Sequence, residues 1–143
     1  MSLVYRVDDI AAALRNEEGY ERFAYEDHLG YVTVGIGRCL EAGHGFGIDE
    51  EEAEYLLRRD IERMAASCEK AFSYWHNVSA NIRETVIMLC FQMGVAGFQK
   101  FRNTNRYIDE GDFEAAADEL LDSKFAQQTP ARAERMAARL RAG

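Results

Sequence analysis

The sequence predicts an α+β protein, mostly α, with a small N-terminal β-hairpin lobe joined by a long helix to a helical C-terminal lobe. Three observations predict it. One extended stretch, FAYEDHLGYVTVGIG, alternates residue types around a glycine-bearing bend. A charged run of helical spacing, EEEAEYLLRRDIERM, follows a glycine-rich linker. Beyond about residue 71 the apolar residues recur at i, i+3, i+4, and the chain's one proline stands near the end. We divide one domain into a hairpin lobe at about 15–48, a linking helix at about 49–70, and a helical lobe at about 71–143 packed with the N-terminal helix.

The first helix is expected to start near Asp8 or Asp9, both good N-cap types. Val7, Ile10, Ala11 and Leu14 follow as one stripe expected to be buried. At ~100° per residue, Glu18 falls within roughly 30° of that stripe and Glu17 about 70° off it. Gly19 then supplies a helix stop. A carboxylate at a helix C-terminus, partly desolvated, favours its protonated form, as a general acid needs. The same position also suits an ordinary solvated glutamate.

The bend of the hairpin holds Asp27, His28, Leu29 and Gly30. On the return strand Tyr31, Thr33, Gly35 and Gly37 share one face, so Thr33 stands on the side with least bulk. Alone, an Asp at a bend is a turn-former and a Thr in a strand reflects β-propensity. Two carboxylates and a hydroxyl on one short connection together suggest acid/base work on a sugar bond.

The linker CLEAGHGFGI lacks the ending of a phosphate loop. Asp49 and Glu52 form a capping box that opens a helix through about Cys68, with Ala53, Leu56, Leu57 and Ile61 inward. Ser79 caps a helix whose inward residues are Ile82, Val86, Leu89 and Cys90. A Val-Ala-Gly-Phe connection leads to NTNRYIDEG and DFEAAADELL. Thr129-Pro130 starts the last helix, which carries Arg132, Arg135, Arg139 and Arg141.

Composition excludes several classes. A chain of 143 residues, 48% hydrophobic, can bury a sizeable core, and a net charge of −8 argues against a nucleic-acid binder. Cys39, Cys68 and Cys90 form no C-x-x-C pair and suit a reducing compartment. His28, His44 and His76 have no metal-ligand spacing, so neither metal nor cofactor is expected. No apolar stretch approaches the ~20 residues of a membrane span. The N-terminus has charges where a signal peptide's apolar core would sit. The expectation is a chain kept in the cytoplasm unless something else releases it. The opening Met-Ser-Leu suits a natural start or a cloning remnant equally.

These residues carry a resemblance. EEGYERFAYEDHLGYVTVGIGR is similar to the active-site segment of the phage-type lysozymes of glycoside hydrolase family 24: Glu18-Gly19, Tyr25, Asp27, then Gly30, Thr33, Gly35 and Gly37. FQMG (Phe91 to Gly94) and QTPARAER (Gln128 to Arg135) match in the expected order, so the resemblance covers nearly the whole chain. It implies a lysozyme-like fold and hydrolysis of the β-1,4 bond between N-acetylmuramic acid and N-acetylglucosamine in peptidoglycan, by a monomer that a membrane-permeabilising partner lets reach the wall. Glu18 matches the proton donor, Asp27 the acid that positions or activates water, and Thr33 the hydroxyl that holds that water. The mechanism it implies is inverting, with carboxyls roughly 6.5–9.5 Å apart.

Phe91 and Thr104 match positions lining the saccharide cleft. Cys39 stands where a phage lysozyme has an aliphatic residue, and Glu119 where it has an amide. Arg132 matches an arginine that pairs with the catalytic glutamate. Arg38 matches a histidine that pairs with an aspartate, here Asp60. Two other readings of the same fold are a lytic transglycosylase, which needs one acid and no water, and a non-catalytic wall-binding module. The negative charge implies modest, salt-sensitive affinity for an anionic wall.

Overall fold

The computed structural model describes residues 4–143, and the opening Met-Ser-Leu lies outside them. It divides into two compact units, the first ending at Tyr55 and the second running Leu56–Gly143.

Unit 1 begins with α1 (Val7–Glu18). Asp8 and Asp9 fall in its first turn rather than at the cap, which is Arg6. Carboxylates there face the positive helix end, and Asp9 also pairs with Arg6 at 2.8 Å. Gly19, at φ +70°, closes the helix by donating its N–H to the Arg15 carbonyl at 2.9 Å. The stripe on α1 is not buried: Val7, Ile10 and Leu14 are 65%, 46% and 50% exposed, and Ala11 is exposed too. Among the described residues, unit 1 supplies three short strands and no apolar layer to cover that stripe.

The strands are β1 (Glu21–Glu26), β2 (Val32–Gly35) and β3 (Arg38–Cys39), antiparallel in the order β1-β2-β3. Register places Tyr25 opposite Thr33, and Thr33 opposite Cys39. The expected hairpin is present, and β3 adds an edge that was not expected. Beyond the ladder, Leu40 N–H donates to the Val32 carbonyl at 2.8 Å and Glu41 Oε1 accepts from Val32 N–H at 3.2 Å. Thr33, 3% exposed, is the buried residue of this sheet. Backbone and loop hydrogen bonds, rather than an apolar core, hold unit 1 together.

The unit boundary falls within α2 (Glu50–Ala71), which the capping box opens as expected. Glu52 N–H donates to Asp49 Oδ1 at 2.8 Å and Asp49 N–H returns a bond to Glu52 Oε1 at 3.1 Å. Ala53, Leu56, Leu57 and Ile61, expected inward, are exposed. Packing into the core begins only at Met64, Ala65 and Cys68, where the helix meets the other helices of unit 2.

Unit 2 continues with a 3-10 turn (Trp75–Asn77), α3 (Ala80–Met93), α4 (Val95–Gln99), α5 (Arg102–Glu110), α6 (Phe113–Leu121), α7 (Lys124–Gln128) and α8 (Pro130–Ala142). Ser79 caps α3 by accepting from Ile82 N–H at 3.2 Å, and Ile82, Val86, Leu89 and Cys90 are buried, as the spacing predicts. The Val-Ala-Gly-Phe connection is the short helix α4. Helix α7, not expected, is capped by Ser123. Pro130 sits in the first turn of α8. Buried alanines, Ala116 and Ala117 on α6 and Ala133 and Ala137 on α8, let these packed helices approach closely.

Candidate active site

Two peptide groups and one side chain organise the polar residues of unit 1. Asp27 sits where the hairpin turns, its own N–H donating to the Tyr31 carbonyl at 2.9 Å. Its Oδ1 accepts from Leu29 N–H and Tyr31 N–H, each at 2.9 Å. The Tyr31 bond first, and the Leu29 bond with it, hold the Asp27 carboxyl below the usual carboxylate range against a smaller opposing effect of desolvation. Asp27 is therefore an ionised acceptor at neutral pH, and both donors land on Oδ1.

Thr33 uses the same residue from the other side. Its Oγ1 donates to the Tyr31 carbonyl at 3.0 Å. A hydroxyl has one hydrogen and two lone pairs, so with the hydrogen committed, Thr33 faces any further partner as an acceptor. The backbone of Tyr31 thus ties Asp27 and Thr33 into one rigid corner. The Tyr31 ring is stacked on His44 with centroids 4.3 Å apart. Neither the Tyr31 peptide nor His44 was singled out in the sequence; the Tyr-before-strand position gives no such signal.

Glu18 ends α1, as the helical pattern predicts, but it is exposed rather than partly buried. Its carboxyl reaches the exit of β2: Gly37, at φ +72°, lies so close that a Cβ there would stand 2.9 Å from both Glu18 Cδ and Oε2. The tip of the helix and the Gly-x-Gly exit are therefore one local structure. Cys39, half-buried on β3, is paired opposite Thr33.

Arg38 meets a carboxylate within its own unit. The carboxylate it meets is Glu52, with Nη1 donating to Oε1 at 3.2 Å and Nη2 pairing with Oε2, while Nη1 also donates to the Gly47 carbonyl at 3.0 Å. The capping box with Asp49 fixes Glu52 in the first turn of α2 and holds its carboxylate there for the guanidinium fork. Asp60, the partner that the resemblance implied for Arg38, lies in unit 2 and is 3.9 Å from Arg63.

Unit 2 carries the remaining predicted residues in two places. Thr104, buried on α5, and Glu119, on α6, line one recess of about 300 Å³ with Lys100, Arg102, Asn103 and Ser123. Phe91, 47% exposed, lines a different groove of about 560 Å³ whose wall includes Ile87, Met88, Gln92, Arg132 and Met136. Within that groove Arg132 Nη1 donates to Gln92 Oε1.

Among the described residues no cluster of three or more His, Cys, Asp or Glu is placed to hold a metal ion, and no helix is long and apolar enough to cross a membrane.

The model of the family described as phage lysozyme matches residues 15–139, which takes in every residue placed above. The chain belongs to the phage lysozyme family. It is 28% identical to the probable T4-type lysozyme 1 of Dictyostelium discoideum, over 91% of this chain and 92% of that one. It is 30% identical to the pre-baseplate central spike protein Gp5 of Enterobacteria phage T4, over 89% of this chain but only 26% of that protein's length. A third relative, the peptidoglycan hydrolase gp36 of Pseudomonas phage phiKMV, is 31% identical over 82% of this chain and 13% of its own. The chain thus spans nearly all of the Dictyostelium lysozyme and about a quarter of the T4 spike protein.

Proposed function

We propose that this lysozyme hydrolyses the β-1,4 bond between N-acetylmuramic acid and N-acetylglucosamine in peptidoglycan, with inversion, in the service of host cell-wall lysis. Glu18 gives a proton to the leaving glycosidic oxygen as the C–O bond breaks. Asp27 takes a proton from a water molecule whose oxygen attacks the anomeric carbon from the opposite face. Thr33 holds that water by accepting a hydrogen bond from it. The proton on Asp27 then returns to Glu18 through solvent, so the cycle balances.

The observation that carries this reading is the shared Tyr31 backbone. It keeps Asp27 ionised and turns Thr33 into an acceptor, which is what managing a nucleophilic water demands. A lytic transglycosylase has no use for such a pair, and a module that only binds has no use for Glu18 beside it. On the family resemblance, Phe91, Thr104, Cys39 and Glu119 are the residues assigned to contact with the glycan.

Clearing of wall suspensions, with release of reducing ends, tests the proposal. Glu18→Gln and Asp27→Asn should each fall by roughly 10²–10⁴-fold while remaining folded. Wild-type turnover in either variant, or no release of reducing ends by the wild type, contradicts it.

A further inference from the structure

Resting on the reading of Glu18 as the acid, we propose that Gly37 is a positioning residue: its bare Cα is the seat on which the Glu18 carboxyl rests. Two glycines of the Gly-x-Gly exit allow the comparison. Gly35 and Gly37 have almost the same φ, +70° and +72°, a region that side chains rarely enter. Their surroundings differ. A Cβ on Gly35 would meet nothing within 4 Å. A Cβ on Gly37 would stand 2.9 Å from Glu18 Cδ, 2.9 Å from Oε2 and 3.0 Å from Cγ.

The group in the way is the far end of a flexible side chain, so the fold can accommodate the added methyl by moving it. The carboxyl would have to retreat from 2.9 Å to the ordinary contact range beginning at 3.4 Å, a displacement of at least 0.5 Å (3.4 − 2.9). The moved atoms are those that deliver the proton. Proton transfer demands heavy-atom approach at hydrogen-bond distance. A misplacement near 1 Å is worth up to about a hundredfold in rate. Absence of a side chain at 37 thus serves the reaction as well as the turn, whereas at 35 it serves the turn alone.

Gly37→Ala and Gly35→Ala separate the two roles, because both place a side chain at the same positive φ. We expect similar losses of thermal stability in the two. Turnover should fall about ten- to hundredfold in Gly37→Ala with KM nearly unchanged, and stay within about twofold of wild type in Gly35→Ala. Equal turnover in the two alanine variants overturns the inference. Wild-type turnover in Glu18→Gln would instead remove the reading on which it rests, so the two failures are distinguishable. Should Gly37→Ala prove too unstable to assay, melting temperatures decide. Any stability lost beyond that of Gly35→Ala must return in the Glu18→Ala/Gly37→Ala double variant, and failure to return also overturns the inference.

Discussion

Replacing Thr33 with valine removes one hydroxyl at nearly constant shape. The residue is 3% exposed, and its hydroxyl hydrogen is committed to the Tyr31 carbonyl at 3.0 Å. Valine therefore deletes a single neutral hydrogen bond, worth about 0.5–1.5 kcal/mol net. The acceptor is not orphaned, since the Tyr31 carbonyl keeps the Asp27 N–H at 2.9 Å. Valine also suits a central strand, so the cost belongs at the lower end of that range. The effect on rate should be larger. If the water loses its acceptor, turnover falls about a hundredfold, equivalent to about 2.7 kcal/mol of transition-state stabilisation. Thr33→Ser keeps the acceptor and should retain turnover within about tenfold of wild type. Reducing-end release at 25 °C, set beside melting curves of the same preparations, separates the two quantities. Turnover of Thr33→Val within twofold of wild type would refute the reasoning, as would a Thr33→Ser variant as damaged as the valine one.

Three further outcomes are expected. Leu89→Ala, in the fully packed core of α3, should cost about 2–5 kcal/mol in urea unfolding, and a cost below about 1 kcal/mol would contradict the core as described. Backbone donors hold the Asp27 carboxyl below its unfolded value near pH 3.9, so its stabilising contribution is present above about pH 4 and lost as pH falls through the lowered value. The stability gap between wild type and Asp27→Asn should accordingly shrink between pH 7 and pH 3; a gap that widens on acidification reverses the sign argued here. Glu52→Ala, which removes both the Arg38 pair and half of the capping box, should lower stability by about 1 kcal/mol, while Asp60→Asn stays within about 0.5 kcal/mol of wild type at neutral pH. The opposite ranking would contradict the structural weight given to Glu52.

Local rules were legible at several helix starts where the deciding partner lies within one turn. Ser79 with Ile82, Asp49 with Glu52, and Pro130 at the start of α8 all satisfy a donor or a steric limit set by residues no more than four positions away. The burial of Ile82, Val86 and Leu89 follows from periodicity because the core of unit 2 covers that face of α3, while Glu84, Met88 and Phe91 stay exposed. The same periodicity on α1 names an apolar stripe but cannot say that something covers it, and Val7, Ile10 and Leu14 are exposed. Strand β3 is two residues long and helices α4 and α7 are five each, too short for alternation or helical period to register.

For the candidate site, Glu18, Asp27 and Thr33 could be chosen by helical phase, turn chemistry and strand face. What joins Asp27 to Thr33 is the backbone of Tyr31, and a main-chain group has no residue-type signature. Arg38 meeting Glu52, fourteen residues on, is equally invisible to local rules. So is the approach of Gly37 to Glu18, which depends on how the sheet folds back to the helix end.

The account stands on a water molecule activated by Asp27 and held by Thr33. Cleavage of purified peptidoglycan in ¹⁸O-labelled water, followed by mass analysis of the new muramic acid ends, tests that most directly. The account predicts one labelled oxygen per bond broken, with the label on the anomeric carbon. Anhydro ends carrying no label would contradict it.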